Sequence, residues 1–288
     1  MYELKKITQK EIQYKDKYLS YTKSMIHLPI FCVSSTKSVN EMYTFKADKL
    51  EGFKKIEFNF PVISIRNDFM VFSYLLKEFY KNLESGESDP FYISFNMKDF
   101  FDYFKIIRNN RSSYAETMIS SIRKMTSISL SFEREDNFYI CNFINTVIAA
   151  KKGERRIQVK LGEGFLNFFK HDPNLIFNIN IDNYISLEKD FSKVLYLFYT
   201  TNLHKIGKDN VASFDRDLIF SRLQSLSADK KKFELIREAN EELIEKGFIK
   251  SYSFSKSGNK ITKINIVYND KQKEEIKEDK SSRPKLFK

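Results

Sequence analysis

One order of segments runs through this chain twice, and it constrains the fold more than any single motif does. SFNMKDFFDYF (94–104) is answered by SFDRDLIFSRL (213–223) at an offset of 119 positions, which places Phe220 over Phe101 and Leu223 over Phe104. Upstream of each copy an Asp-Phe step opens a stretch with apolar residues every three to four positions, DFMVFSYLLKEFY at 68–80 and DFSKVLYLFYTTNL at 190–203. That spacing predicts a helix with one buried face. Downstream of each copy comes a further helical segment, SSYAETMISSIRKMT (112–126) or DKKKFELIREANEELIEKG (229–247). Alternating strands follow: 127–133, 137–150 and 155–161 after the first, 251–268 after the second, with Ser257-Gly258-Asn259 as a hairpin tip. A recurrence of this length predicts one supersecondary unit folded twice.

Three helices and then a β-hairpin is the order of a helix-turn-helix with a β wing. The fold class expected is therefore α+β, with two winged-helix domains in tandem. The segment boundaries divide the chain into an N-terminal arm with some helix (1–55), a first winged-helix domain (56–165), a second (166–268) and a charged tail (269–288). The tail is nearly free of apolar residues before Leu286 and is predicted to be disordered. Asn96 precedes the second helix of the first unit as an N-cap, and Asp215 has the same role in the second, with chelation of a cation by Asp215 and Asp217 as the alternative.

In a helix-turn-helix the third helix packs by one stripe and offers the other to the major groove. Ala115, Met118, Ile119, Ile122 and Met125 make the packing stripe of the first such helix. Arg108 and Arg111 stand just before it, Ser112 and Ser113 at its start, and Thr117, Arg123 and Lys124 on its polar side. Small hydroxyl residues let a helix approach bases and phosphates closely. The second such helix packs by Phe233, Ile236, Ala239, Leu243 and Ile244 and begins with Lys230, Lys231 and Lys232, followed by Arg237. Cations at a helix N-terminus oppose the macrodipole, a cost that a docked phosphate offsets. Its C-terminal half, with Glu238, Glu241, Glu242 and Glu245, would repel a phosphate backbone, so only the first two turns are expected to enter a groove.

Basic residues also gather beyond the helices. Lys256, Lys260 and Lys263 flank the second hairpin tip, while Lys151, Lys152, Arg155 and Arg156 cluster between the two domains. The turn expected for the first hairpin, Arg134-Glu135-Asp136, is mostly acidic and suits phosphate poorly. About six to eight phosphate contacts are feasible in all, for a slope of log affinity on log salt of about −5 to −7. A formal charge of +11 over 288 residues agrees with a polyanionic partner.

Other chemistries find little support. No apolar run approaches a membrane span, and the N-terminus has no apolar core of a signal peptide. Cys32 and Cys141 are distant and unaccompanied, as expected of reduced thiols in a cytoplasmic protein. His27, His171 and His204 are scattered, so local spacing builds neither a metal site nor a Cys/His pair. Nucleotide hydrolysis needs a glycine loop ending in Gly-Lys-Ser/Thr, and SGNK at 257–260 has neither that spacing nor a following helix. A metal-dependent nicking enzyme would need paired histidines, and there is no His-x-His. The chain is expected to be no enzyme and to carry no cofactor.

NYISLEKDFSKVLYLFY (183–199), SFDRDLIFSRLQ and KKFELIREANEELIEKGFIKSYSFSKSGNKITKINIVY together resemble the replication initiators of iteron-containing plasmids. The alanine-then-acid step Ala239, Glu241, Glu242 in the recognition helix and the lysine-bearing wing carry the resemblance, and LPIFCVSSTKSVN (28–40) is similar to the family's N-terminal arm. The resemblance covers about 60–268 and implies sequence-specific binding of double-stranded DNA at direct repeats of an origin, assistance in melting adjacent AT-rich DNA, and recruitment of host helicase or initiator proteins. It also implies a homodimer joined through the first domain, with the second domain doing most of the base reading. A winged-helix repressor without a replication role shares every DNA-binding feature above, and a protein-interaction module with incidental charge is the third alternative.

Overall fold

The computed structural model describes residues 18–22, 31–33, 42–50, 53–150, 155–164, 176–202, 206–207, 209–223, 225 and 227–269. The charged tail beyond 269, the turn at 151–154 and most of the N-terminal arm lie outside the described residues. What is described of 1–55 is strand rather than helix: β1 (Tyr18–Thr22), β2 (Phe31–Cys32), β3 (Met42–Leu50) and the start of β4 (Phe53–Pro61). β3 and β4 form an antiparallel hairpin, so a boundary at 55/56 falls inside one element. The reason is legible in retrospect. Tyr43, Phe45 and Ala47 alternate with exposed Met42, Thr44, Lys46 and Asp48, a half-buried strand whose polar face hides its period.

A short strand, β5 (Ile63–Ser64), pairs parallel with β2 and brings the Phe31 ring to 4.9 Å from Phe69 and 5.2 Å from Phe72. Both partners belong to α1 (Asp68–Ser85), most of whose length is buried. Gly86, at φ 75°, ends this helix, where its N–H and that of Glu87 bond to the carbonyls of Leu83 and Asn82. A left-handed residue is needed to turn the chain back there, and glycine takes that conformation without a Cβ penalty.

The two units then run in parallel order. In the first, α1 is followed by β6 (Tyr92–Asn96), α2 (Met97–Tyr103), a 3-10 turn (Arg108–Asn110) and α3 (Arg111–Thr126). Asn96 caps α2, with its N–H bonded to Asp99 Oδ2 at 3.4 Å. Next come β7 (Ser129–Arg134), β8 (Asn137–Asn142), β9 (Ile144–Ala149) and β10 (Arg156–Leu161). β11 (Ile176–Asn180) pairs antiparallel with β1 and leads into α4 (Ile181–Ser186). The second unit is α5 (Asp190–Thr201), β12 (Val211–Asp215), α6 (Arg216–Leu223), α7 (Asp229–Glu245), β13 (Ile249–Ser257) and β14 (Lys260–Tyr268).

Each unit has a three-stranded antiparallel sheet with the strand from between its helices at one edge, β6-β10-β9 and β12-β14-β13. The register repeats as well. Phe95 lies opposite Ile157 and Ile93 opposite Val159; Phe214 lies opposite Ile264 and Ala212 opposite Ile266. All eight of these side chains are buried. The fold is mixed α and β, two winged-helix units in tandem.

This topology corrects one expectation. The hairpin at 127–142 is not the first wing. β7 pairs with β4, placing Phe58 opposite Leu130, and β3-β4-β7-β8 make a separate four-stranded sheet. The wing of the first unit is β9–β10, whose connection carries the basic cluster at 151–156. As the chain leaves β10 it crosses β8 so closely that a Cβ on Gly162 would lie 1.8 Å from the Asn142 carbonyl oxygen, and one on Gly164 1.9 Å from Cys141 Cβ.

Candidate nucleic-acid interface

In α3, Ala115, Met118, Ser121, Ile122 and Met125 face the core, leaving Ser112, Ser113, Glu116, Ser120 and Arg123 on one exposed stripe with Arg108 just ahead. Thr117 is half-buried and donates to the Ser113 carbonyl at 3.0 Å. Two cations expected on this surface are committed within the chain. Arg111 binds Asp102 Oδ1 at 2.6 Å, donates to the Ile106 carbonyl at 3.1 Å and lies over the Phe101 ring, so it ties the turn between α2 and α3. Lys124 Nζ reaches Asp68 Oδ2 at 2.9 Å. Asp68 is buried at the start of α1 and also accepts from Ser121 Oγ at 2.5 Å and from the Ser64 N–H at 2.7 Å. Position 124 adjoins the buried Met125 and stands one turn from Ser121, which is why its ammonium turns inward.

In the first wing Arg155 (φ 48°) and Arg156 are exposed, and Arg156 Nε bonds to Ser94 Oγ at 2.8 Å. Lys151 and Lys152 lie outside the described residues.

α7 begins with Lys230 exposed, Lys231 at 3.2 Å from Glu234, and Lys232 at 3.8 Å from Asp229 and 5.0 Å over the Phe220 ring. Asp229 in the first turn thus offsets part of the unfavourable lysine–dipole interaction. Arg237 is exposed with its guanidinium 5.5 Å over the ring of Phe254 on β13. Sequence reading missed these aromatic supports. Phe220, Phe233 and Phe254 run ring to ring at 5.1 and 5.8 Å across α6, α7 and β13, linking the helix to its wing. Their period was visible; their convergence from three elements was not.

Glu242 is not part of an acidic outer face. It is buried against the N-terminus of α5, accepting from the Glu188 N–H (2.5 Å), the Lys189 N–H (3.2 Å) and Ser192 Oγ (2.5 Å). Burial alone would raise its pKa, but the bonds from Ser192, Glu188 and Lys189 hold it below the ordinary value. The alanine-then-acid step is therefore a packing seam, with Ala239 fully buried, while Glu238, Glu241 and Glu245 remain exposed.

Gly247 (φ 76°) closes α7, its N–H bonding to the Ile244 carbonyl (2.9 Å) and that of Phe248 to Leu243 (2.8 Å). Phe248 then packs on Tyr196 at 4.8 Å. This is the glycine C-cap with its apolar contact, and it aims the chain into the wing. Gly258 (φ 59°) opens the tip, and Lys256, Lys260 and Lys263 are exposed along the hairpin. Among the described residues no group of acidic, histidine and cysteine side chains could hold a metal ion, and no helix is long and apolar enough to cross a membrane.

No family model and no curated protein matches the sequence. Solved structures do match the fold. The Pi initiator protein, determined in complex with iteron DNA, superposes with a TM-score of 0.53 at 13% identity, covering 90% of this chain and 100% of that one. Domains 2 and 3 of RctB superpose with a TM-score of 0.54 at 8% identity, covering 88% of this chain and 98% of that one. The tandem winged-helix architecture of this chain is thus one that the Pi initiator protein also has.

Proposed function

We propose that this chain is a sequence-specific, double-stranded DNA-binding replication initiator that binds direct repeats at an origin, assists melting of adjacent DNA and recruits host replication proteins. The observation that carries the reading is the duplicated unit itself, each copy with an exposed polar third helix and a basic wing, in the fold of an initiator solved on iteron DNA. Arg108, Ser112, Ser113 and Arg123 with the first wing, and Lys230, Arg237, Lys256, Lys260 and Lys263 in the second unit, are the proposed contacts. Arg237→Ala should relax sequence preference by about 1–3 kcal/mol where it meets a guanine, whereas equal loss on all sequences would make it a backbone contact. The deciding experiment places the gene with its flanking DNA on a fragment lacking another origin. Maintenance that is lost on deleting the gene and restored in trans supports initiation. Maintenance without the gene reduces the protein to a repressor or a bystander.

A homodimer through the first domain belongs to the same proposal. β8 ends the order β3-β4-β7-β8, and no described strand pairs with its outer edge. Phe138 and Ile140 are 60% and 77% exposed on the outer face of that strand. Antiparallel pairing of β8 with its copy about Tyr139 would set Phe138 against Ile140 twice.

A further inference from the structure

We infer that the joint between the two winged-helix units, built on Arg66, Lys105 and Tyr184, fixes the spacing between the two blocks of DNA that the protein reads. The inference rests on the DNA-binding reading above and adds a specificity that neither recognition helix holds by itself.

The two first helices are tied at their N-termini. Arg66, two residues ahead of α1, places Nε 2.8 Å from Oδ1 of Asp190, the first residue of α5, and donates through Nη2 to the Glu188 carbonyl at 3.1 Å. Tyr184 of α4 is almost wholly buried. Its ring lies 4.8 Å from Phe69, and its hydroxyl donates to the Ile65 carbonyl. A third tie comes from an unexpected place, the turn between α2 and α3. Lys105 there reaches Asp182 in the first turn of α4 at 2.8 Å. It does so from a left-handed backbone, φ 54°, which glycine would adopt without strain. Phe104 and Ile107 of the same turn line a cleft of about 380 Å³ against Ile185 and Leu187, so the turn faces the second unit along its length.

A chain of contacts runs from one reading helix to the other through these ties, with buried Tyr184 at its centre and the exposed Arg66 and Lys105 pairs on either side. α3 is bound to Asp68 by Ser121 and Lys124, and the adjoining Phe69 packs on Tyr184. α7 is bound through Glu242 to the backbone of Glu188 and Lys189, beside the Arg66–Asp190 pair. Two modules held in one geometry gain from simultaneous engagement only when the sites match that geometry, whereas a flexible link tolerates a range. Each inserted base pair shifts the second block by about 3.4 Å and turns it by about a tenth of a revolution.

The test uses the full chain. Duplexes selected by it from a random-sequence pool are footprinted to locate two protected blocks, and one or two base pairs are then inserted between them. The wild type should lose at least tenfold in affinity for one inserted pair. The variant Arg66→Ala/Lys105→Asp should bind the original site within a few fold and lose less than threefold on insertion. Adding Asp182→Lys to Lys105→Asp alone should restore the wild-type penalty, which a merely unfolded variant cannot do. A selected site with the same insertion penalty in wild type and variants overturns the joint and leaves DNA reading intact. Failure to select any sequence overturns the DNA reading and this inference with it.

Discussion

Asp68 and Glu242 solve one packing problem in opposite directions. Both sit in the seam between the first and third helix of their unit, but the acid comes from the first helix in one and the third in the other, and each finds a serine across the seam, Ser121 or Ser192. In the first unit the carboxylate also takes Lys124, so adjacent cations should behave differently. Lys124→Ala leaves a buried carboxylate short of its ion partner and should lower stability by about 1–3 kcal/mol in urea unfolding. Arg123→Ala should leave stability unchanged and flatten the salt slope of DNA binding by about one. The reverse assignment would put Lys124 on phosphate after all. Glu242 makes a pH prediction. Its folded pKa lies below the ordinary 4.5 because hydrogen bonds outweigh burial. The unfolded chain therefore takes up a proton that the folded chain accepts only at lower pH. Its contribution is complete above about pH 5 and is lost as pH falls through the folded value. Glu242→Gln should flatten that acid limb in unfolding followed from about pH 6 to 3, and an unaltered limb would remove the carboxylate from the seam.

The repeat of elements rests on matched aromatic residues. Phe214 is buried between Phe198 at 5.0 Å and Tyr199 at 5.7 Å, in the place that Phe95 has beside Tyr74 at 5.0 Å. Phe214→Ala should cost about 3–5 kcal/mol in urea unfolding, with the loss seen first in second-unit probes. Such residues were legible because helical and alternating periods fix which side chains share a face, whatever lies opposite. What lies opposite was not legible. The strand 129–134 carries the alternation of a wing, and only its pairing with β4, more than 70 residues earlier in the chain, diverts it into another sheet. The same limit governed the interface. The exposed stripe of α3 follows from its period, but a single sequence does not say which lysine meets a buried acid, so the partners of Lys124, Arg111 and Glu242 within the chain were not legible.

At the scale of the whole molecule, a charge of +11 favours DNA and disfavours self-association, so a dimer needs a local attraction that outweighs like-charge repulsion. The outer edge of β8 offers one. Between Met42 on β3 and the β8 edge the outer face of the four-stranded sheet is polar, with Lys46 paired to Glu57 and Lys55 to Glu133, and Phe138 and Ile140 then stand together on β8. An open edge with exposed apolar residues is a template for another strand, and natural proteins cover or charge such edges unless they use them. Because both side chains are already exposed, replacing them removes no core contact, and surface changes of this kind usually alter stability by less than about 0.5 kcal/mol. Phe138→Asp/Ile140→Asp sets like charges opposite each other twice in that pairing, and should therefore leave the circular dichroism and melting of the chain unchanged while raising its dimer dissociation constant at least tenfold in sedimentation equilibrium. Two added acids lower the formal charge from +11 and so weaken general repulsion, which leaves the local contact as the cause of a weaker dimer. A dimer that survives the double substitution at equal affinity would place its interface elsewhere. If the variant is monomeric and still occupies a single repeat with wild-type affinity, one chain with its two reading helices is the DNA-binding unit, and the β8 edge serves assembly alone.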